Sequence, residues 1–164
     1  MIVGDGMLAS AFQRAGAHDW DPVIFASGVS NSLEKDFTEY QKETDLLLNY
    51  SKLDKMLVYF STVSIFDPSL SSNPYIHHKL KIEKIIDDRF GKYLIIRLPI
   101  VVGKSSNPHT LTNFLYRSIM NGDHFRLFQY ATRYLIDLDD VVRFTEILIS
   151  KCGTRRKEIG RAHV

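Results

Sequence analysis

MIVGDGMLASAF, residues 1–12, decides how the rest of the chain is read. The apolar start Met1-Ile2-Val3 runs into Gly4-Asp5-Gly6-Met7-Leu8-Ala9, a G-x-G-x-x-A turn, and residues 7–15 have helical character. Strand, glycine turn and helix in that order form a cradle for a pyrophosphate. One glycine turns the chain, the next lets backbone amides approach the phosphates, and a small third residue lets helix and strand pack closely. The anion would sit at the positive end of the helix. A plain strand-to-helix turn has the same pattern, so the reading depends on what surrounds it.

Outward from this turn, short apolar runs alternate with longer stretches of helical period, the pattern of βαβ units on a parallel sheet. Strands are expected near 1–3, 23–27, 56–61 and 93–98. A helix over 33–49 should turn Leu33, Phe37, Tyr40 and Leu47 toward the core. Further helices are expected over 75–90, over 110–121 with a stop at Asn121-Gly122, and over 139–150 with Val142, Thr145, Glu146 and Leu148 on mixed faces.

The 164 residues fit one domain, expected over 1–150 with a basic tail over 151–164. A composition 45% hydrophobic and 24% charged is that of a globule able to bury a core. The formal charge of +2 is concentrated in the tail, where Lys151, Arg155, Arg156, Lys157 and Arg161 face only Glu158; residues 1–150 are net acidic. No field for nucleic acid is expected there. Apolar runs such as 93–96 and 100–102 fall far short of the ~20 residues that span a bilayer. The N-terminus has no basic stretch followed by an apolar one. A cytoplasmic protein with no membrane partner is expected, which suits the single Cys152.

Four further segments bear on the chemistry. Asn73-Pro74-Tyr75-Ile76-His77-His78-Lys79 holds Tyr-x-x-x-Lys at a helix start, so phenol and ammonium share one helix face. A fixed cation favours the phenolate, and the pair could take a proton from a sugar hydroxyl while a nicotinamide takes the hydride. The strand Met56-Leu57-Val58-Tyr59-Phe60 delivers Ser61-Thr62-Val63-Ser64 at its carboxyl end, where open α/β sheets bind ligands. Arg97-Leu98-Pro99-Ile100-Val101-Val102-Gly103 reads as a strand exit, and Arg133-Tyr134-Leu135-Ile136-Asp137-Leu138-Asp139-Asp140-Val141 as a helix start with its acids at the N-terminus.

In this order the segments resemble the extended short-chain dehydrogenase/reductase superfamily, in its NAD-dependent epimerase/dehydratase branch that acts on nucleotide sugars. Phe60-Ser61-Thr62-Val63-Ser64-Ile65-Phe66 is similar to that family's Ser-Ser/Thr-x-x-Val-Tyr-Gly strand end. Pro74-Tyr75 to Lys79 with Glu83 is similar to Pro-Tyr-x-x-Ser-Lys-x-x-x-Glu. Arg97 to Gly103 resembles Arg-x-x-x-Val-Tyr-Gly, and Arg133 to Val141 resembles Arg-x-Phe-Ile-x-Val-x-Asp-Val. Pro22-Val23-Ile24-Phe25-Ala26-Ser27-Gly28 looks like the strand whose end lines the cofactor.

The resemblance implies a Rossmann-like doubly wound sheet with helices on both faces, and an epimerase or reductase of surface-polysaccharide synthesis. Tyr75 would be the acid/base, Lys79 would lower its pKa and hold the nicotinamide ribose, and Thr62 or alternatively Ser61 would bond the substrate hydroxyl. NAD or NADP would lie against Gly4, Gly6, Met7, Leu8, Ala26, Ser27, Gly28, Ser61 and Pro99, and a nucleotide-sugar against Ser64 and Arg133. A homodimer is left open.

Three departures qualify this. Only 69 residues separate Gly6 from Tyr75, so the family's second and third strands are missing. No acid stands clearly about 20 positions after the glycine turn to grip the adenosine ribose, since Asp19 and Asp21 precede the next strand. Val63 and Ser64 replace the Asp-Glu of the dehydratases, which makes dehydration the least expected reaction. A dinucleotide-binding module without catalysis, a sensor or assembly protein, is the rival reading.

Gly103-Lys104-Ser105 is not a P-loop, because Leu98 stands where its first glycine belongs. No metal site is expected: adjacent His77 and His78 cannot face one ion from a helix, and solvent exposure or substrate contact is expected for them. The closing EIGRAHV, residues 158–164, looks like the translation of a common short-read sequencing adapter, so a longer natural chain is expected.

Overall fold

The computed structural model describes residues 1–17, 20–104, 110–126, 129–130 and 132–151. Asp19, Ser105, Cys152 and the tail from 152, including the adapter-like 158–164, lie outside the described residues. Four parallel strands, Ile2–Val3 (β1), Val23–Phe25 (β2), Leu57–Thr62 (β3) and Tyr93–Leu98 (β4), form one sheet in the order β1-β2-β3-β4. The longest ladder pairs β3 with β4 from Leu57↔Tyr93 to Thr62↔Leu98. Five helices accompany them: Met7–Arg14 (α1), Phe37–Asn49 (α2), Pro74–Arg89 (α3), Leu111–Asn121 (α4) and Leu138–Lys151 (α5).

Alternation along the strands sorts the core into two layers. Val58, Phe60, Leu94 and Ile96 face Ala11 and Phe12 of α1 and Leu138, Val141 and Val142 of α5. Leu57, Tyr59, Tyr93 and Ile95 face Leu47 of α2 and Ile82 and Ile86 of α3. The expected doubly wound arrangement is therefore present. Phe12, fully buried between Phe60 and Trp20 at 5.5 and 5.8 Å, contributes roughly 1.5–3 kcal/mol through its burial.

The first crossover is unusual. α2 and α3 cover one face and α1 the other, while the strands add in a single direction. The β1–α1–β2 connection therefore has the opposite hand to the two that follow. Such connections are right-handed in ~98% of cases, which makes the first one the exception. α1 ends at Arg14 and β2 begins at Val23, so the helix leads into the neighbour of β1 from the face opposite α2 and α3.

The structure corrects three details. The second helix starts at Phe37 rather than 33, because the Asp36 side chain accepts Thr38 N–H as its N-cap, while Glu34 Oε1 accepts the N–H groups of Lys35 and Asp36 in a local turn. Leu33 and Phe37 are consequently exposed, and Tyr40 and Leu47 alone of the four reach the core. Second, the segments read as a strand exit and a helix start contain strands, Ile100–Val102 (β5) and Leu135–Asp137 (β6), which pair in parallel as a separate sheet. Pro99, without an N–H, ends the β4 ladder and lets the chain change sheets. Third, His78 is buried while His77 is exposed.

Candidate active site at the carboxyl edge of the sheet

Because β1 to β4 are parallel, their carboxyl ends share one edge, which gathers Gly4, Ala26, Thr62 and Pro99. Gly4 has φ +119°, and a Cβ there would lie 2.6 Å from the Ala26 carbonyl oxygen, so only glycine fits where the turn crosses the end of β2. Gly6 precedes α1 in extended conformation and supplies no side-chain cap, no acid occupies the first turn, and a Cβ there would meet nothing within 4 Å. The start of α1 is thus left without a side-chain cap, at the end of a helix that favours an anion. Met7 and Leu8 are half-buried and pack their side chains on the core, so their contribution to an anion would come from the backbone.

Tyr75 is set by the start of α3, where the Asn73 side chain accepts Tyr75 N–H at 2.8 Å and Pro74 occupies the first turn. The Thr62 side chain lies beside the Tyr75 phenol and pulls its pKa down. Thr62 Oγ1 accepts Ser64 N–H at 3.1 Å, which fixes its orientation. Ser61, on the opposite face of β3, is buried and its Oγ has no hydrogen-bond partner among the described residues, leaving one hydroxyl for a bound polar group. Arg133 is exposed and donates to Thr132 O, with Asp67 within reach of its charge.

Lys79 lies one turn beyond Tyr75, its Nζ 5.8 Å from the centre of the Tyr75 ring. Its direct partners are others: Nζ donates to Tyr59 Oη at 2.9 Å and to Glu43 Oε1 at 3.1 Å. Glu43 is buried and also accepts the Tyr59 hydroxyl at 2.6 Å and Val29 N–H at 2.7 Å, with His78 Nε2 at 2.9 Å from Oε2. The His78 ring stacks on Tyr40 at 4.5 Å.

Sequence reasoning missed Glu43, Tyr59 and the inward His78. One signal was present: Tyr40, Glu43, Thr44 and Leu47 stand at i, i+3, i+4 and i+7, which puts a carboxylate on the buried face of α2. The expected lowering of the Tyr75 phenol is also corrected. Burial pushes Tyr75 up to about 12, Thr62 pulls it down, and the Glu43 charge beside Lys79 and Tyr40 adds to the rise.

The Glu43 carboxylate titrates in the reverse sense. Burial raises it, but His78, the Lys79 charge, the Tyr59 hydroxyl and Val29 N–H outweigh burial and hold it at about 2 against an ordinary 4.5. A depressed carboxylate stabilises the fold above its unfolded value and withdraws that stability as pH falls through the folded one. Roughly 3 kcal/mol should disappear between about pH 5 and pH 2. Urea unfolding across that window tests this, with Glu43→Gln expected to flatten the slope; an equal slope in the variant would assign the loss to other acids.

Asp21, the described acid nearest the position for gripping a ribose, precedes β2 at the opposite edge and bonds Lys55 at 3.3 Å. A cavity of about 300 Å³, lined in part by Asp54, Lys55, Phe90 and Lys92, lies at that edge too, away from Tyr75. Among the described residues no three His, Cys, Asp or Glu side chains could hold a metal, and no helix is long and apolar enough to cross a membrane.

No family model and no curated protein sequence matches the chain. Solved structures do. The UDP-N-acetylglucosamine 4-epimerase from Methanobrevibacter ruminantium M1 in complex with UDP-N-acetylmuramic acid is 14% identical over 85% of this chain and 54% of that one, with a TM-score of 0.64. The UDP-glucuronic acid 4-epimerase from Bacillus cereus in complex with UDP-glucuronic acid and NAD is 20% identical over 93% of this chain and 55% of its own, with a TM-score of 0.67. The Bordetella bronchiseptica enzyme WbmH in complex with NAD+ is 17% identical over 98% and 59%, with a TM-score of 0.68. The chain spans little more than half the length of these structures. What it shares with them is their Rossmann-like α/β fold, here with four strands in its main sheet.

Proposed function

We propose that this chain is the cofactor-binding half of an NAD(P)-dependent sugar-nucleotide epimerase or reductase, serving surface-polysaccharide synthesis. The observation that carries the reading is the juxtaposition of Thr62 and Tyr75 at the carboxyl edge of a parallel sheet, with Lys79 on the same helix face and a glycine-turn helix without a side-chain cap on that edge. The fold shared with an epimerase crystallised with UDP-glucuronic acid and NAD supports it. Gly4, Gly6 and the first N–H groups of α1 would hold the pyrophosphate, with Ala26, Ser27, Gly28, Ser61 and Pro99 bordering the rest. A bound nicotinamide supplies hydride acceptance and return. Thr62 orients a sugar hydroxyl, Tyr75 exchanges its proton, and Ser64 and Arg133 contact the nucleotide-sugar.

One structural feature favours the rival module without catalysis. The Lys79 charge is matched by Glu43, and Tyr75 is pushed up to about 12, so neither is poised for proton transfer at neutral pH. Two measurements separate the readings. NAD at a hundred times its dissociation constant should stabilise the fold by about 2.7 kcal/mol, a rise in Tm of roughly 5–11 °C for a chain of this size. NADP should bind within about tenfold of NAD, since no described acid is placed to discriminate the ribose. Absence of any shift with either dinucleotide would refute both readings; binding without hydride exchange would select the rival.

A further inference from the structure

The four groups around the Glu43 carboxylate come from β3, from α3 twice, and from the loop after β2. Gly28 belongs to the same construction. A Cβ there would lie 2.8 Å from Lys79 Nζ and 3.0 Å from Glu43 Oε1, so this glycine leaves the room in which the ion pair is built. His78 stands where the resembling family pattern has Ser, and it fills its place by bonding Glu43 and stacking on Tyr40. The arrangement therefore belongs to this chain's own residues.

We infer that Glu43 is a positioning residue of the proposed dinucleotide site, whose carboxylate anchors the Lys79 ammonium and the loop at Val29 in one arrangement. A buried ammonium with no counter-charge sheds its proton rather than remain charged in a low-dielectric interior. The titratable groups that meet Lys79 are Glu43 on α2, Tyr59 on β3, and Tyr75 and Glu83 on α3, while His78 bonds the far oxygen of Glu43 and stacks on Tyr40. Among the described residues, Glu43 is the carboxylate bonded directly to Nζ. Burial lowers the proton affinity of Lys79, and Glu43 is the first group to raise it again. The same carboxylate holds Val29 N–H, so the lysine and the loop bearing Ser27 and Gly28 cannot shift independently.

The dinucleotide part of this role rests on the proposed function; the anchoring does not, and the experiment reads them apart. Nitrogen-15 NMR of lysine side chains follows the Lys79 ammonium against pH without any ligand. In Glu43→Gln, which keeps the side chain's shape, the ammonium signal should be lost at a pH lower by ~1–3 than in the parent, and Glu43→Asp should retain it. Adding Lys79→Met to Glu43→Gln should restore thermal stability, and that comparison decides the matter even if the single variant does not fold. An unchanged Lys79 titration in Glu43→Gln, or a double variant no more stable than the single, overturns the anchoring. With NAD as probe, Glu43→Gln should weaken binding about tenfold or more. Equal affinity in variant and parent overturns the positioning role, whereas a parent that binds no NAD refutes the proposed function and leaves the NMR result to judge the anchor.

Discussion

Tyr75→Phe should lower hydride exchange between sugar-nucleotide and nicotinamide by ~10²–10⁴-fold, the usual worth of a positioned acid/base. Dinucleotide affinity should change little, because the ring stays and with it the contact to Lys79 at 5.8 Å. The fold should lose only ~0.5–1.5 kcal/mol, the net value of a single hydroxyl hydrogen bond. Stopped-flow or coupled absorbance at the reduced-nicotinamide band measures the first quantity, calorimetric titration the second, and urea unfolding the third. The pH profile adds a sharper criterion. A phenol pushed up to about 12 is scarcely ionised near neutrality, so kcat/KM should climb about tenfold per pH unit through the alkaline range in the parent. Tyr75→Phe should abolish the climb. A variant with parental rate and profile would remove Tyr75 from the chemistry and leave the dinucleotide-binding module as the better description.

The elements nearest this residue were the most legible in the sequence. The apolar runs of β3 and β4 and the Asn73-Pro74 start of α3 follow local rules, and the structure places them within a residue or so of expectation. The Thr62–Tyr75 contact was legible only as two motifs in order, since neither segment names its partner. The ion pairs were not legible as pairs. Glu43 and His78 lie 35 positions apart, and nothing local tells a buried carboxylate which distant donors will neutralise it. Leu33 and Phe37 misled because they continue the helical period of Tyr40 and Leu47, while the Asp36 cap, a purely local bond, outcompeted that period. The hand of the first crossover could not be read at all from a missing pair of strands. It emerges only when the two core layers show which face α1 occupies.

Arg97→Met should cost ~3–5 kcal/mol, a large share of the ~5–15 kcal/mol that holds a domain together. Arg97 Nε and Nη2 donate to Glu83 Oε1 and Oε2 at 2.8 and 2.5 Å, both residues are buried, and the guanidinium lies 5.0 Å from the Phe66 ring. Removing the cation leaves a carboxylate in the interior without the guanidinium that neutralised it. That desolvation, rather than the lost bonds, sets the magnitude. At roughly 2–4 °C per kcal/mol for a chain of this size, Tm should fall by about 6–20 °C. Replacing both partners, Arg97→Met with Glu83→Leu, should recover most of the loss, because an apolar pair of similar volume carries no desolvation cost. A loss below about 1 kcal/mol in the single variant, or a double variant that adds the two costs, would show that the pair is solvated or structurally idle. The consequence reaches the candidate site through helix geometry. Tyr75, Lys79 and Glu83 stand at i, i+4 and i+8 on the buried face of α3, and each meets a different partner: Thr62, Tyr59 with Glu43, and Arg97. Glu83 is the third fixed point of that column. Releasing it frees the middle of α3 to tilt on the sheet, so Arg97→Met should reduce hydride exchange more than its residual folded fraction accounts for, and the apolar double variant, although folded, should not restore it fully.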